Sequence, residues 1–328
     1  MAKANARRPT RGEFSLIAGI AQELSRARSR HVELGIGDDA AIVRVGNRRL
    51  AVSVDDQVEG VHFDLHWLDA SDVGYRALQA AASDLAAMGA KPLAAVASLH
   101  VPRGFPVADL RRLARGQAQA ALQLGCPVIG GNITRGDRLS VTTTVLGQVT
   151  KPLVRHAARA GDELWVLGEL GLARAGLLLH QQRPRVPVSL RGAAARARAA
   201  WARPEARIAD GQKLRGRARA AIDVSDGLSG DVRHLADASG VKAVIEAERL
   251  ARLIPDDLAS LADLLGEAPV GLALIGGEDY ALLAAGPRAR RPRQARVVGK
   301  LERGRGAELE LETGRRLSLA AGFDHLRD

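Results

Sequence analysis

Two apolar spacings alternate along this chain, and that alternation limits the folds open to it. Strand-like runs, short and rich in β-branched residues, fall at 50–54, 93–99, 128–129 and 139–149. Helical spacing falls between them. In 13–24, Phe14, Ile17, Ile20 and Leu24 share a face. Asp72 is placed to cap a helix that runs to Met88 and is closed by Gly89 and Pro92. Residues 109–124 are amphipathic and followed by Gly125. The pattern breaks at 149–160, around Lys151-Pro152, and then resumes. Strands are expected at 163–167, 221–224, 241–246, 272–275, 280–284 and 297–301. Helices are expected at 171–180 and 228–239, a connector with a helix over 181–199, and a hairpin over 308–317 turning at Thr313-Gly314. Such alternation predicts an α/β or α+β fold. The break divides it into two domains, 1–150 and 151–328.

Aromatic residues make up only 3% of the chain against 46% hydrophobic, so the cores must be built from Ala, Leu, Val and Ile. A chain of 328 residues can bury two such cores. The net charge of +11 invites a nucleic-acid reading. Against it, only six of the 48 basic residues are Lys, and Arg is spread along the whole chain with Ala, as a compositional bias would place it. Few aromatics are available to stack on bases. A basic nucleic-acid-binding protein on the same fold is the alternative of a different class; its mark would be binding that weakens steeply with salt. Cys126 is the sole cysteine and sits in the apolar run Leu124-Gly125-Cys126-Pro127-Val128-Ile129. It reads as a buried structural thiol in a reducing compartment, and the cytoplasm is the expected location. Residues 1–11 are polar and basic, unlike a signal peptide. The most apolar stretch, 77–101, is interrupted by Asp84 and Lys91, so no membrane partner is expected.

In a basic chain the informative feature is where acids gather. Gly35-Ile36-Gly37-Asp38-Asp39 sets two adjacent carboxylates among glycines, as a cation site or a solvated Asp turn would. Ser53-Val54-Asp55-Asp56-Gln57-Val58-Glu59-Gly60-Val61-His62 places acids at a strand end; His62 is a substrate contact or a hydrogen-bonded core residue. Asp84 lies inside an apolar helix, where a carboxylate without a partner costs several kcal/mol. In Ile222-Asp223-Val224-Ser225-Asp226-Gly227, Asp226 is a helix cap or a ligand, while Asp223 sits within the strand itself. Gly130-Gly131-Asn132 and Gly276-Gly277-Glu278-Asp279-Tyr280 add two glycine turns with polar groups. Hard Mg²⁺ takes oxygen ligands and shares them with phosphates, so this set suits a soluble enzyme handling ATP and a phosphorylated small molecule. The P-loop, the kinase lysine and catalytic-loop motifs, zinc-ligand spacing and the nucleophile elbow are all absent.

These segments, in this order, resemble the thiamine-monophosphate kinase family, from Gly12-Glu13-Phe14 to Gly322-Phe323-Asp324. The pieces at 33–41, 58–63, 83–90, 222–228 and 276–280 are in register with it. The resemblance implies two α/β domains, with the N-terminal sheets of two subunits pairing into a shared barrel as a homodimer. It implies nucleotide binding and dimerisation through 1–150, with 151–328 completing the active site. The implied reaction is direct γ-phosphoryl transfer from ATP to thiamine monophosphate, assisted by several Mg²⁺ ions. By the same resemblance Asp39, Ser53, Asp55, Asp84, Asp223 and Asp226 are metal ligands. Gly131, Asn132, Arg155 and Ser225 contact nucleotide, and His62, Glu278 and Phe323 contact the thiamine phosphate. No general base is implied, because the nucleophile is already an anionic oxygen. The chain departs from the family at Asn132, where an Asp is usual, at Val54, and at Asp56-Gln57. Within the wider group, aminoimidazole-ribonucleotide synthetase is the alternative; it matches the His62 segment less well.

Overall fold

The computed structural model describes residues 13–24, 27 and 29–319. The elements of the first half are α1 (Glu13–Leu24), β1 (Val32–Leu34), β2 (Ala41–Val45), β3 (Arg48–Val58), α2 (Ala70–Ala87), β4 (Lys91–Val101), α3 (Val107–Leu124), β5 (Val128–Arg135) and β6 (Ser140–Val149). Its strands form one six-stranded sheet, ordered β1-β2-β3-β6-β4-β5. Only β4 and β5 run parallel. The second half begins with β7 (Glu163–Leu167), α4 (Leu172–Gln182), α5 (Arg191–Ala202), α6 (Ile208–Leu214), β8 (Ala220–Val224), α7 (Leu228–Ser239) and β9 (Lys242–Glu246). It continues with α8 (Ala247–Ala251), α9 (Asp256–Leu264), α10 (Pro269–Ile275), β10 (Ala281–Gly286), β11 (Arg296–Glu302), β12 (Gly306–Glu310) and β13 (Arg316–Ser318). Its seven-stranded sheet runs β13-β12-β9-β11-β7-β10-β8 and is mixed, with β9 and β12 parallel. The expected mixed α/β class is present.

Helix α2 joins the two sheets. Its apolar face packs on β3 and β6 through Leu78, Ala81, Leu85 and Met88. Its last turn, Ala86 and Ala87, packs under the second sheet against Trp165, Ala221 and Leu282. Small residues bring its neighbours close. A Cβ on Gly116 of α3 would stand 1.8 Å from the Ser71 carbonyl oxygen, and one on Gly74 would stand 2.0 Å from that of Leu113. Glycine at both positions is what lets the α2 and α3 backbones touch. The paucity of aromatics is met in this way, by close backbones and Ala-rich contacts.

Several sequence expectations are corrected. Asp69, not Asp72, caps α2, accepting the Ser71 and Asp72 amides at 2.7 and 3.0 Å. Asp72 faces Arg203 instead. Residues 272–275 are helical, because Pro269 starts a turn at N1 and Leu272, Ala273 and Leu274 are buried between two clusters, Leu272 in one and Ala273 and Leu274 in the other. A four-residue apolar run carries no decisive period. The strand at 50–54 extends to Val58, so Asp55 and Asp56 lie within β3 rather than after it. Asp226 is not a cap: Gly227 occupies that position, and the Asp231 carboxylate accepts the Asp226 amide at 3.2 Å.

Candidate active site

Strand alternation decides which acids of β3 face inward. Ser53, Asp55 and Gln57 share the face turned to α2, while Val54 and Asp56 share the other. Asp56 is spent there on the Ser140 and Thr142 hydroxyls, at 2.8 and 3.0 Å. On α2, Arg76, Ala80, Ser83 and Asp84 form a stripe at helical spacing, about 12 Å long. From the second sheet, β8 brings Asp223 to the same place, followed by Ser225 and Asp226.

Asp39, Asp84 and Asp223 converge, each with a carboxylate oxygen within 4.8 Å of the others. Ser53 donates its hydroxyl to Asp84 at 2.5 Å, and Ser83 donates to Asp223 at 2.7 Å. Arg155 grips Asp39 with two N–H groups, at 2.7 and 3.2 Å. The neighbouring Asp38 has a structural task instead. It accepts the Arg155 backbone amide at 3.1 Å, and burial beside Asp39 raises its pKa to about 6. Burial, followed by the Asp39 charge, pushes Asp223 up to about 7. Burial, with Asp223 and Asp39 close by, pushes Asp84 well above the usual carboxylate range. One guanidinium thus faces three clustered carboxylates, two of which resist ionising for want of a counter-charge. The donors are carboxylate and hydroxyl oxygens, the chemistry that a hard divalent cation such as Mg²⁺ takes.

Beside the cluster opens a cleft of about 420 Å³. Its lining includes the acids Asp55, Asp84, Asp223 and Asp226 together with His62, Trp67, Trp201 and Glu278. His62 accepts the Val58 amide on Nδ1 at 3.1 Å, which orients its ring. Trp67 and Trp201 lie 6.0 Å apart between centroids, with His180 against both. Glu278 and Tyr280 hold φ angles of 68° and 47°, left-handed backbone that non-glycine residues seldom adopt and that clusters at functional sites. Asp279, between them, caps α4 from a distance through the Gly171 and Ala173 amides, and burial raises its pKa to about 7.

Gly131 and Asn132 stand apart from this cluster. They lie on β5, at the sheet edge, and the row Gly131–Ala97–Thr143–Asp55 crosses three strand spacings, about 14 Å. A Cβ on Gly131 would fall 1.7 Å from the Ala97 carbonyl oxygen, so the close β4–β5 approach requires glycine. Phe323 lies outside the described residues. Sequence reasoning missed Arg76, Gln57, Ser83, Trp201 and Asp231. The one available signal was that Arg76 and Asp231 are charges on the buried faces of helices.

Residues 37–149 match the family model for AIR synthase related protein, N-terminal domain, and 159–312 match that for the C-terminal domain. Thiamine-monophosphate kinase from Mycobacterium tuberculosis (strain ATCC 25618 / H37Rv) is 36% identical over 83% of this chain and 80% of its own length. That from Aquifex aeolicus (strain VF5) is 34% identical over 90% and 93%. The solved structure of AaThiL complexed with AMPPCP and TMP superposes with a TM-score of 0.86 at 32% identity, covering 96% of this chain and 97% of that one. The hydrogenase maturation protein HypE shares the fold, with a TM-score of 0.68 at 18% identity over 89% of this chain and 95% of its own.

Proposed function

The chain belongs to the AIR synthase related family, among its thiamine-monophosphate kinases, and from that membership we propose that it transfers the γ-phosphoryl group of ATP directly to thiamine monophosphate, with Mg²⁺ held between its two halves. It is a kinase with a phosphate group as acceptor. The observation that carries the cation reading is the convergence of Asp39, Asp84 and Asp223, drawn from both halves of the chain, within 4.8 Å. Asp39, Ser53, Asp55, Asp84, Asp223 and Asp226 are the residues that would hold the metal. When bound, Mg²⁺ supplies positive charge between two phosphate-bearing substrates that repel each other.

The chain's own groups do the rest. Arg155 offers the Asp39-bound guanidinium to nucleotide phosphate, and Ser225 adds a hydroxyl at the cleft. Gly131 and Asn132 would meet the nucleotide farther out along the first sheet, within the span of a nucleoside triphosphate. His62 and Glu278, with Phe323, would hold the thiamine phosphate. Trp67 and Trp201 offer flat faces to a heteroaromatic cation. Holding both phosphates in line is the main catalytic work, since the attacking oxygen is already anionic. On this reading 1–150 binds nucleotide and cation and pairs with a second copy, and 151–328 completes the site. Pairing is supported by exposed apolar residues on the first sheet: Val54, on the face away from α2, is 61% exposed, and Ile129 and Ile133, on edge strand β5, are each 68% exposed. Incubation with ATP, Mg²⁺ and thiamine monophosphate is expected to give thiamine diphosphate and ADP in equal amounts. Phosphate release without thiamine diphosphate, or turnover of formylglycinamidine ribonucleotide instead, defeats the proposal.

A further inference from the structure

Behind the cleft wall a single arginine ties together four separate elements. Arg76, on α2, is 0% exposed. Its Nε donates to the Gln57 side-chain oxygen on β3 at 2.9 Å. One terminal nitrogen donates to the Trp201 carbonyl at the end of α5, and the other donates to a carboxylate oxygen of Glu278. The second Glu278 oxygen accepts the Trp201 indole N–H at 2.8 Å, and the guanidinium carbon lies 5.5 Å from the Trp201 ring centre. Gln57 passes the connection on, donating its amide to Asp55 at 3.1 Å.

Each link has a physical reason. The Trp201 carbonyl is one of the acceptors a helix C-terminus leaves unsatisfied, at the negative end of the helix dipole. Among the described residues Arg76 is the only cation paired with Glu278. Glu278 is held in left-handed backbone in the cleft lining, where both of its oxygens take donors from groups that are themselves buried. Burial lowers the Arg76 pKa, with Tyr280 and Asp55 opposing the shift. It is a costly place for a charge unless the charge is used.

We infer that Arg76 is a positioning residue: it sets the Glu278 carboxylate facing the acceptor substrate and, through Gln57, orients Asp55 on the cation side of the same cleft. The inference rests on the reading of Glu278 as a thiamine-phosphate contact. One buried guanidinium thereby couples the two ends of the site. Lysine cannot replace it, because an ammonium is a point charge and cannot reach the Gln57, Trp201 and Glu278 acceptors from one atom.

The test compares Arg76→Lys, Glu278→Gln and the double variant at saturating Mg²⁺. Arg76→Lys is expected to raise the KM for thiamine monophosphate by about 10- to 100-fold, the usual effect of losing an orienting partner. The KM for ATP should change by less than about twofold, the scatter of uncoupled sites. The KM of the double variant for thiamine monophosphate should be no higher than that of Glu278→Gln alone. A merely structural role would raise both KM values together and give multiplicative effects, and either result overturns the inference. Should the wild-type protein not use thiamine monophosphate at all, the functional reading fails and Arg76 is judged in the ligand-free protein. There Arg76→Lys should shift the tryptophan emission, and the shift should vanish in a Trp201→Phe background. Emission identical to wild type refutes the positioning role.

Discussion

At the scale of single residues the site is a set of carboxylates kept where they are least comfortable. Asp84 is in a buried helix face with Asp223 and Asp39 beside it, and among the described residues its one side-chain hydrogen bond comes from Ser53. Asp84→Asn removes the charge and almost no volume. We expect kcat to fall by about a hundredfold or more, the scale of removing one electrostatic group at a reacting phosphate. The metal-free variant should melt no lower than wild type, because a repulsion has been removed. Wild-type turnover at limiting Mg²⁺ would remove Asp84 from the ligand set. The raised pKa values also fix the sign of a pH effect. Asp223 titrates near 7 in the fold and near its ordinary 3.8 when unfolded. Between about pH 4 and 7 Asp223 therefore holds more proton in the folded metal-free protein than in the unfolded chain, and its contribution to stability falls as pH rises through that window. Asp223→Asn lacks this loss, so its melting advantage over wild type should grow from about pH 5 to pH 7. A constant difference would mean that Asp223 ionises normally. Most of this was legible in the sequence, since Asp39, Asp55, Asp84 and Asp223 stand out as acids in apolar or glycine-rich surroundings. Arg76 was not, because its partners Gln57, Trp201 and Glu278 are brought to it only by folding. Nor was the Arg155–Asp39 pair, whose members lie 116 residues apart.

At the scale of elements, α2 carries the design. One of its faces presents Arg76, Ser83 and Asp84, and its position depends on the glycine crossing with α3. Gly116→Ala places a methyl group where the Ser71 carbonyl sits, and overpacking of this kind costs roughly 1–3 kcal/mol. The variant should melt several degrees lower in thermal unfolding and lose activity beyond that, because any shift of α2 moves Asp84. Unchanged stability would show that the crossing relaxes freely. The elements readable from sequence were those with enough length to show a period: α2, α3, β6 and α7. Among the short ones, β7, β8, β9, β10 and β11 were anticipated from their apolar runs, while others were missed or misassigned. β1 and β2 lie in a region dominated by its Asp-Gly turn. Helix α10 was expected as a strand because its run is too brief to distinguish the two periods. The extent of β3 was underestimated because Asp55, Asp56 and Gln57 do not look like strand residues, yet alternation sends Asp56 outward and Asp55 inward.

At the scale of the whole molecule, the proposed cation site belongs to neither half. Asp39, Asp55 and Asp84 come from the first and Asp223 and Asp226 from the second, with the cleft between the two sheets. On the proposed pairing, the outer face and the β5 edge of the first sheet are the surface offered to a second copy. Ile133→Glu should therefore sediment as a monomer where the wild type sediments as a dimer; a wild-type monomer would contradict the pairing. The central claim is that both halves must contribute carboxylates to one cation. Equilibrium binding of Mn²⁺, standing in for Mg²⁺ and followed by its electron paramagnetic resonance signal, tests it most directly. Asp84→Asn, in the first half, and Asp223→Asn, in the second, should each weaken the binding by about tenfold or more while the far-ultraviolet circular dichroism stays that of wild type. Wild-type affinity in either variant would show that the cation is held by one half alone.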